Sequence, residues 1–199
     1  MEDLKYLRPP LQIPRINERT REIQFPMASE PLVGAMLRTL AASKPAGHFL
    51  ELGTGTGIAT AWLLDGMDIH STLISVDTDE KAQLVARDCL GADRRLTLVI
   101  SDALEFLRVQ NAESFDLVFA DAMPGKYDGL IVALDVVKVG GFYIIDDMLP
   151  QPNWPEGHAT RVPVLIEQLA ANRNFEILPI VWASGVVVAV RKRSGTPCE

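Results

Sequence analysis

From residue 48 onward, short and mostly apolar segments alternate with segments whose apolar residues recur three and four apart. This alternation constrains the fold more than any other feature of the chain. The continuous runs at 48–52, 73–76, 96–100, 115–120 and 141–145 read as strands. The segments between and after them, 60–64, 80–89, 103–109, around 130–137 and 162–171, read as helices. A strand with no polar face must be covered on both sides, and strands joined through helices run parallel. Two final apolar runs, 175–182 and 185–190, are separated only by a turn at Ala183-Ser184 and so predict an antiparallel hairpin at one edge. The expected fold class is α/β, a doubly wound, mostly parallel seven-stranded sheet with a C-terminal antiparallel hairpin.

Ahead of this alternation lies a polar leader, 1–26, with Pro9, Pro10, Pro14 and Pro26. It predicts irregular structure or short helical turns packed over the domain rather than inside it. Ser29 and Glu30 then suit a helix start, with Pro31 tolerated in the first turn. Leu32, Met36 and Leu40 recur four apart beside Val33 and Leu37, as one helix face requires. That helix should end by Ser43-Lys44, because the residue before Pro45 is pushed out of helical geometry. The division expected is a leader, 1–28, over the site, and one domain, 29–199.

Composition narrows the partners. A net charge of -7 argues against a nucleic-acid backbone, which requires clustered Lys and Arg. The one dense basic run, Arg191-Lys192-Arg193, reads as a solvated strand end. Cys89 and Cys198 form neither a disulfide framework nor a metal-ligand spacing. The leader has no signal-like apolar core, and no apolar run reaches the ~18 residues of a membrane helix. A soluble, cytoplasmic protein is expected.

The first strand runs into "FLELGTGTGIAT", residues 49–60. In a doubly wound sheet, ligands bind beyond the carboxyl ends of the strands, where strand order reverses. Glycines there let the backbone approach a ligand, and the following helix offers free N–H groups to an anion. A P-loop would need Gly-Lys-Ser/Thr, but Gly57-Ile58-Ala59 stands in its place. The spacing is GxGxG, not the GxGxxG of dinucleotide sites, and Glu51 would repel a pyrophosphate. A ligand with both a carboxylate and an ammonium fits better, the amides taking the anion and Glu51 the cation.

S-adenosylmethionine has such a head group. The stretch resembles the first motif, E-x-G-x-G-x-G after a strand, of the class I S-adenosylmethionine-dependent methyltransferases, and so implies a Rossmann-like methyltransferase fold. Asp77 ends the second strand, 20 positions after Gly57, where a carboxylate can accept ribose hydroxyls. Asp102-Ala103 ends the third strand, at the family's adenine position. The resemblance assigns Glu51, Gly53, Thr54, Gly55, Gly57, Asp77, Thr78, Asp102, Ala103 and Asp121 to the cofactor.

The fourth strand ends "FDLVFADAMPGKY" and the fifth "GGFYIIDDMLP", so Asp121, Asp146 and Asp147 should converge beside the methyl group. Carboxylates this close repel unless protonated or neutralised, and a hard divalent ion with oxygen ligands would do so. It would also lower the pKa of a substrate hydroxyl. This half resembles the metal-dependent O-methyltransferases of the catechol and caffeoyl-CoA type, which carry an Asp after the fourth strand and an acidic or amide pair after the fifth. Met27, Pro31 and Gly34 keep that family's Met-x3-Pro-x2-Gly spacing. The resemblance, from about Met27 to Arg191, implies Mg2+ or Mn2+ on Asp121, Asp146 and Asp147, a small-molecule acceptor, and allows a homodimer. One departure stands out. The family places a Lys three residues after the metal Asp; here that residue is Pro124, and the nearest lysine, Lys126, becomes the candidate base beside Asp121. The long loop after Asp147, with Trp154 and His158, reads as a lid or substrate wall, in which a lone His is ordinarily solvated.

The expected activity is therefore methyl transfer to a hydroxyl oxygen of a small acceptor, assisted by a divalent ion. The rivals are a metal-independent methyltransferase acting on another nucleophile and a cofactor-binding module without catalysis. A nicotinamide dehydrogenase is more distant.

Overall fold

Five parallel strands follow one another through helices, and the direction of winding reverses once. The computed structural model describes residues 3–152, 154 and 157–193. A 3-10 turn, Asp3–Tyr6, precedes α1 (Ile13–Glu22) and α2 (Pro31–Ala42). The alternating part follows as β1 (His48–Leu52), α3 (Ile58–Gly66), β2 (Thr72–Asp77), α4 (Glu80–Leu90), β3 (Leu96–Ile100), α5 (Ala103–Arg108) and β4 (Phe115–Ala120). A single turn, α6 (Met123–Lys126), leads to α7 (Leu130–Asp135), β5 (Val137–Ile145), α8 (His158–Ala171), β6 (Phe175–Ile180) and β7 (Val186–Arg191). The sheet order is β3-β2-β1-β4-β5-β7-β6. The chain winds outward from β1 to β3, returns to β4 on the other side of β1, and winds outward again. The switch point therefore lies between β1 and β4.

As expected, β1 to β5 pair in parallel and the closing hairpin is antiparallel. Its second strand, β7, pairs with β5, which leaves β6 at the edge. Successive side chains on a strand point to opposite faces, and the core divides accordingly. Phe49, Leu117, Phe119 and Ile144 pack with α1, α2, α3 and α4. Leu50, Leu52, Val118, Ala120, Tyr143 and Ile145 pack with α5, α7 and α8.

Four expectations need correction. The leader contains a ten-residue helix, α1, rather than irregular turns, and it enters the core: Ile16 is fully buried and Thr20 nearly so. Ile13, Ile16 and Ile23 carried helical spacing, but the charged residues between them masked it. β5 starts at Val137 instead of 141, with a register shift against β4 between Phe115 and Leu117 and Gly140 at φ +77. α7 accordingly stops at Asp135. α8 begins at His158, four residues before the expected start, capped by Gly157 at φ +80 and continuing through Pro163. Cys198 lies outside the described residues, and Cys89 is a free thiol.

Among the described residues no helix is long and apolar enough to cross a membrane.

Gly34 shows what the Met-x3-Pro-x2-Gly spacing does mechanically. A Cβ there would lie 2.3 Å from Cδ1 of Trp62, so α2 can approach α3 only without a side chain at this position. Trp62 is buried, with the Arg38 guanidinium 4.9 Å from its ring centre. Substitution Gly34→Ala overpacks this contact and should cost ~1–3 kcal/mol. Calorimetry should then show Tm lowered by several degrees with the transition still cooperative.

Candidate active site

The turn after β1 is held open by backbone that only glycine adopts readily. Gly53, Gly55 and Gly57 have φ of +101, +50 and +91. A Cβ on Gly53 would come within 2.8 Å of the Asp121 carbonyl oxygen, so this glycine lets two strand ends meet. A Cβ on Gly57 would strike Cβ of Ala86 at 2.7 Å, so that glycine seats α3 on α4. The loop borders a cavity of about 450 Å³ at the carboxyl edge of the sheet. Gly53, Thr54, Gly55, Asp77, Thr78, Asp102, Ala103 and Asp121 all line it.

Asp77 fixes the loop as well as facing the cavity. Its Oδ2 accepts from the Gly55 N–H at 2.7 Å, and its Oδ1 accepts from the Asp79 N–H at 2.8 Å. Asp102 caps α5, its Oδ1 accepting from Leu104 and Glu105 N–H at 2.8 and 3.0 Å. One oxygen thus does structural work at the strand end, as an N-cap Asp commonly does.

Glu51 and Gly57 are not among the residues that line the cavity. Glu51 shares the sheet face of Phe49, beneath α3, and is fully buried. Its Oε2 accepts from the hydroxyls of Thr60 and Ser75, each at 2.5 Å. Thr54 and Ser75 share a further bond of 2.6 Å, and Gln83 donates to Thr54 at 3.1 Å. A buried relay thus runs from α4 to Glu51 under the loop. Burial pushes the Glu51 carboxyl up to about 8 against the two hydroxyls that hold it down, with Asp121 and Asp77 adding to the rise. Its Oε2 braces the loop from beneath, while its Oε1 is buried without a hydrogen-bond partner among the described residues.

Asp121 ends β4 inside the cavity. Its Oδ2 accepts from the Ser29 hydroxyl at 3.4 Å, and its Oδ1 lies 3.9 Å from Nζ of Lys126. Burial, and then the charge of Asp146, push its carboxyl up to about 7, while Lys126 and Ser29 oppose the rise. Lys126 is not a solvated loop residue: it is only 3% exposed and lines the cavity. The turn before it explains this. Pro124 takes an extended ψ of 138 and Gly125 a φ of +87, so the chain doubles back and carries Lys126 inward. The Tyr143 hydroxyl donates to the Gly125 carbonyl at 2.6 Å and pins the turn.

The expected metal triad is not assembled. Among the described residues, no group of three or more His, Cys, Asp or Glu side chains could hold a metal ion. Asp146 is buried, and its Oδ1 already accepts from the Ser184 hydroxyl and, at 2.7 Å, from the Asp147 N–H. Burial raises its carboxyl against these bonds. Asp147 sits at φ +65 in the turn that follows. The carboxylates do converge on the cavity, but three of their oxygens, both of Asp121 and Oδ1 of Asp146, face hydroxyls, an amide or an ammonium. They do not fit a divalent ion.

The rest of the wall comes from segments with little sequence signal. Thr20 on α1 donates to Thr56 at 2.8 Å, tying the leader to the glycine loop. Phe25, Met27, Ser29 and Glu30 border the cavity, as do Gln151 and Trp154. His158 is buried, not solvated: its ring stacks on Trp154 at 4.3 Å, and its Nε2 pairs with the Tyr127 hydroxyl at 2.9 Å. Burial holds this imidazole below its ordinary value and pushes the Tyr127 phenol up to about 12. Ser29 and Ser184 were missed as site residues, because each lies far along the chain from the carboxylate it touches. The Ala183-Ser184 hairpin turn was the only advance sign of Ser184.

Comparison with known proteins matches this geometry. A family model described as a methyltransferase domain matches residues 50–148, the segment that carries the glycine loop and all the strand-end acids. Residues 50–148 form a methyltransferase domain. Among relatives of this methyltransferase, a putative O-methyltransferase of Mycobacterium ulcerans is 28% identical over 174 residues, 82% of this chain and 78% of the relative. Another, from Mycolicibacterium vanbaalenii, is 32% identical over 123 residues, spanning 59% of this chain and 54% of the relative. An O-methyltransferase of Streptomyces achromogenes solved with S-adenosylmethionine superposes with TM-score 0.80 at 20% identity, over 95% of this chain and 93% of that one. An O-methyltransferase of Bacillus cereus solved with S-adenosylhomocysteine gives 0.80 at 20% identity, over 94% of each chain.

The buried Glu51 gives the methyltransferase a pH-dependent stability with a definite sign. Its folded pKa is raised, so between 4.5 and about 8 the folded chain holds a proton that the unfolded chain releases. Stability from this group falls as pH rises through that window, by at most roughly 1.4 kcal/mol per pH unit. Glu51→Gln removes the titration. Thermal melts from pH 5 to 8 should show a flatter Tm profile for the variant than for the parent.

Proposed function

We propose that this enzyme transfers the methyl group of S-adenosylmethionine to a hydroxyl oxygen of a small acceptor, without a divalent ion at Asp121, Asp146 and Asp147. The observation that carries the reading is the placement of Asp121. It stands at the switch point, on the same cavity as the glycine loop, Asp77 and Asp102, with its carboxyl pushed up to about 7. A cavity of about 450 Å³ suits an adenosyl cofactor and a small molecule, not a polymer. The names of the relatives and of the solved neighbours support oxygen as the acceptor atom.

Gly53 and Gly55 would offer backbone to the cofactor's amino-acid end, Asp77 and Thr78 would receive its ribose, and Asp102 and Ala103 would border its base. When bound, S-adenosylmethionine supplies the methyl group as an activated sulfonium, so the chain's own task is positioning and proton handling. Asp121, ionised, accepts the acceptor's hydroxyl proton; a base whose pKa lies near working pH is suited to this. Phe25, Met27 and Trp154 contribute apolar surface to the cavity wall.

Two results test the reading. Incubation with a panel of phenols and catechols should release S-adenosylhomocysteine with at least one member, and kcat/KM should climb about tenfold per pH unit below ~7 and level off above it. Asp121→Asn should lower kcat by roughly 10²–10⁴ while calorimetry shows cofactor binding retained. Cofactor binding with no turnover across the panel would instead favour a binding module without catalysis.

A further inference from the structure

The acidic cluster poses a problem of charge. Asp146 is buried and Asp121 half-buried at one end of the cavity, with Asp147 beside them, and carboxylates withdrawn from water need compensation. A divalent ion would need carboxylate oxygens from these residues to face one point, with water filling its other positions. Among the described residues no such group is assembled, and three of the six carboxylate oxygens are already engaged. Asp121 Oδ1 faces Lys126 at 3.9 Å, Asp121 Oδ2 accepts from Ser29, and Asp146 Oδ1 accepts from Ser184 and the Asp147 amide. An incoming ion would have to displace two hydroxyls and sit beside a buried ammonium.

The lysine is held in place and does not merely reach inward by chance. The Gly125 amide donates to the Asp128 carbonyl at 2.7 Å, and the Gly125 carbonyl accepts from buried Tyr143. A Cβ on Gly125 would fall 2.6 Å from Leu52 Cδ1, so the turn is pressed against the end of β1. Lys126 therefore emerges from a fixed backbone into the carboxylates, and its charge is felt at Asp121, Asp146 and His158.

We propose that the Lys126 ammonium is the resident cation of the acceptor pocket, neutralising Asp121 and Asp146, donating a hydrogen bond to the acceptor oxygen, and excluding a divalent ion from that position. This rests on the methyl-transfer reading of the same site. Lys126 keeps its protons throughout; the hydroxyl proton goes to Asp121. The turn at Pro124-Gly125 supplies, through a side chain, the positive charge that related enzymes take from solution.

Manganese binding tests this directly. Titration of Mn2+ into the wild-type protein with S-adenosylhomocysteine present, read by electron paramagnetic resonance, should leave the free-ion signal undiminished. Lys126→Met strips the cation but keeps the stem, and should bind Mn2+ at least tenfold more tightly than wild type. Lys126→Arg should again bind none. Chelator should leave wild-type turnover within twofold. Stoichiometric Mn2+ uptake by the wild-type protein, loss of turnover in chelator, or no gain of Mn2+ binding in a Lys126→Met variant that still binds S-adenosylhomocysteine would each overturn the proposal. If Lys126→Met fails to bind cofactor, Lys126→Gln replaces it, and the wild-type titration decides independently. A protein that methylates no acceptor yet excludes Mn2+ would sink the methyl-transfer reading and leave the assignment of the cation standing.

Discussion

The hydrogen bond from the Asp121 amide to the Leu52 carbonyl, 2.9 Å long, joins the two halves of this molecule. It is the last rung of the β1–β4 ladder, and it lies at the switch point of the sheet. On one side the chain turns into the glycine loop, whose Gly53 amide crosses to the Val76 carbonyl of β2 at 2.9 Å. On the other it turns into the segment that carries Lys126. Because the rung fixes Asp121 against Gly53, the cofactor loop and the acceptor end of the cavity cannot shift independently. A side chain at residue 53 would break that contact, so the constraint is steric before it is chemical.

Two carboxyl groups close to this rung are both raised, for different ends. Glu51 lies on the face covered by α3, where burial outweighs two short hydroxyl bonds. Its bonds to Thr60 and Ser75 bind α3 and β2 to β1 underneath the loop. Asp121 lies beyond the strand end, where Lys126 partly offsets burial and the charge of Asp146. The same desolvation that makes one acid structural leaves the other near neutral titration. Desolvation scales with enclosure, so the difference follows from the nearby ammonium and the open cavity.

Much of the fold was legible because each element announced itself by its own period. The parallel strands, the glycine loop and the acids Asp77, Asp102 and Asp121 all followed from strand ends that topology must bring to one edge. The burial of Glu51 was not legible, because alternation decides its direction: it faces the same side as Phe49, which α3 covers, and a motif does not state which face is covered. The leader was misread because its few apolar residues are separated by charges. Only the docking of Ile16 among α3 and α4 reveals that three isoleucines suffice to anchor it. Ser29 and Ser184 lie 92 and 38 residues from the carboxylates they touch, beyond any local pattern.

The missing lysine shows the limit of counting positions. A family pattern assigns a role to the third residue after Asp121, and Pro124 cannot fill it. In the proposed reading, what the pocket requires is an ammonium at a place, not a lysine at a number. With Pro124 extended and Gly125 at φ +87, the backbone reverses and the residue two places later reaches the same cavity. Proline and glycine are therefore not a gap in the motif but the device that relocates it. The cost is positional freedom: a side chain on Gly125 meets Leu52, and the Tyr143 hydroxyl is committed to its carbonyl. That rigidity is also what lets one buried positive charge stand among carboxylates that would otherwise call for an ion.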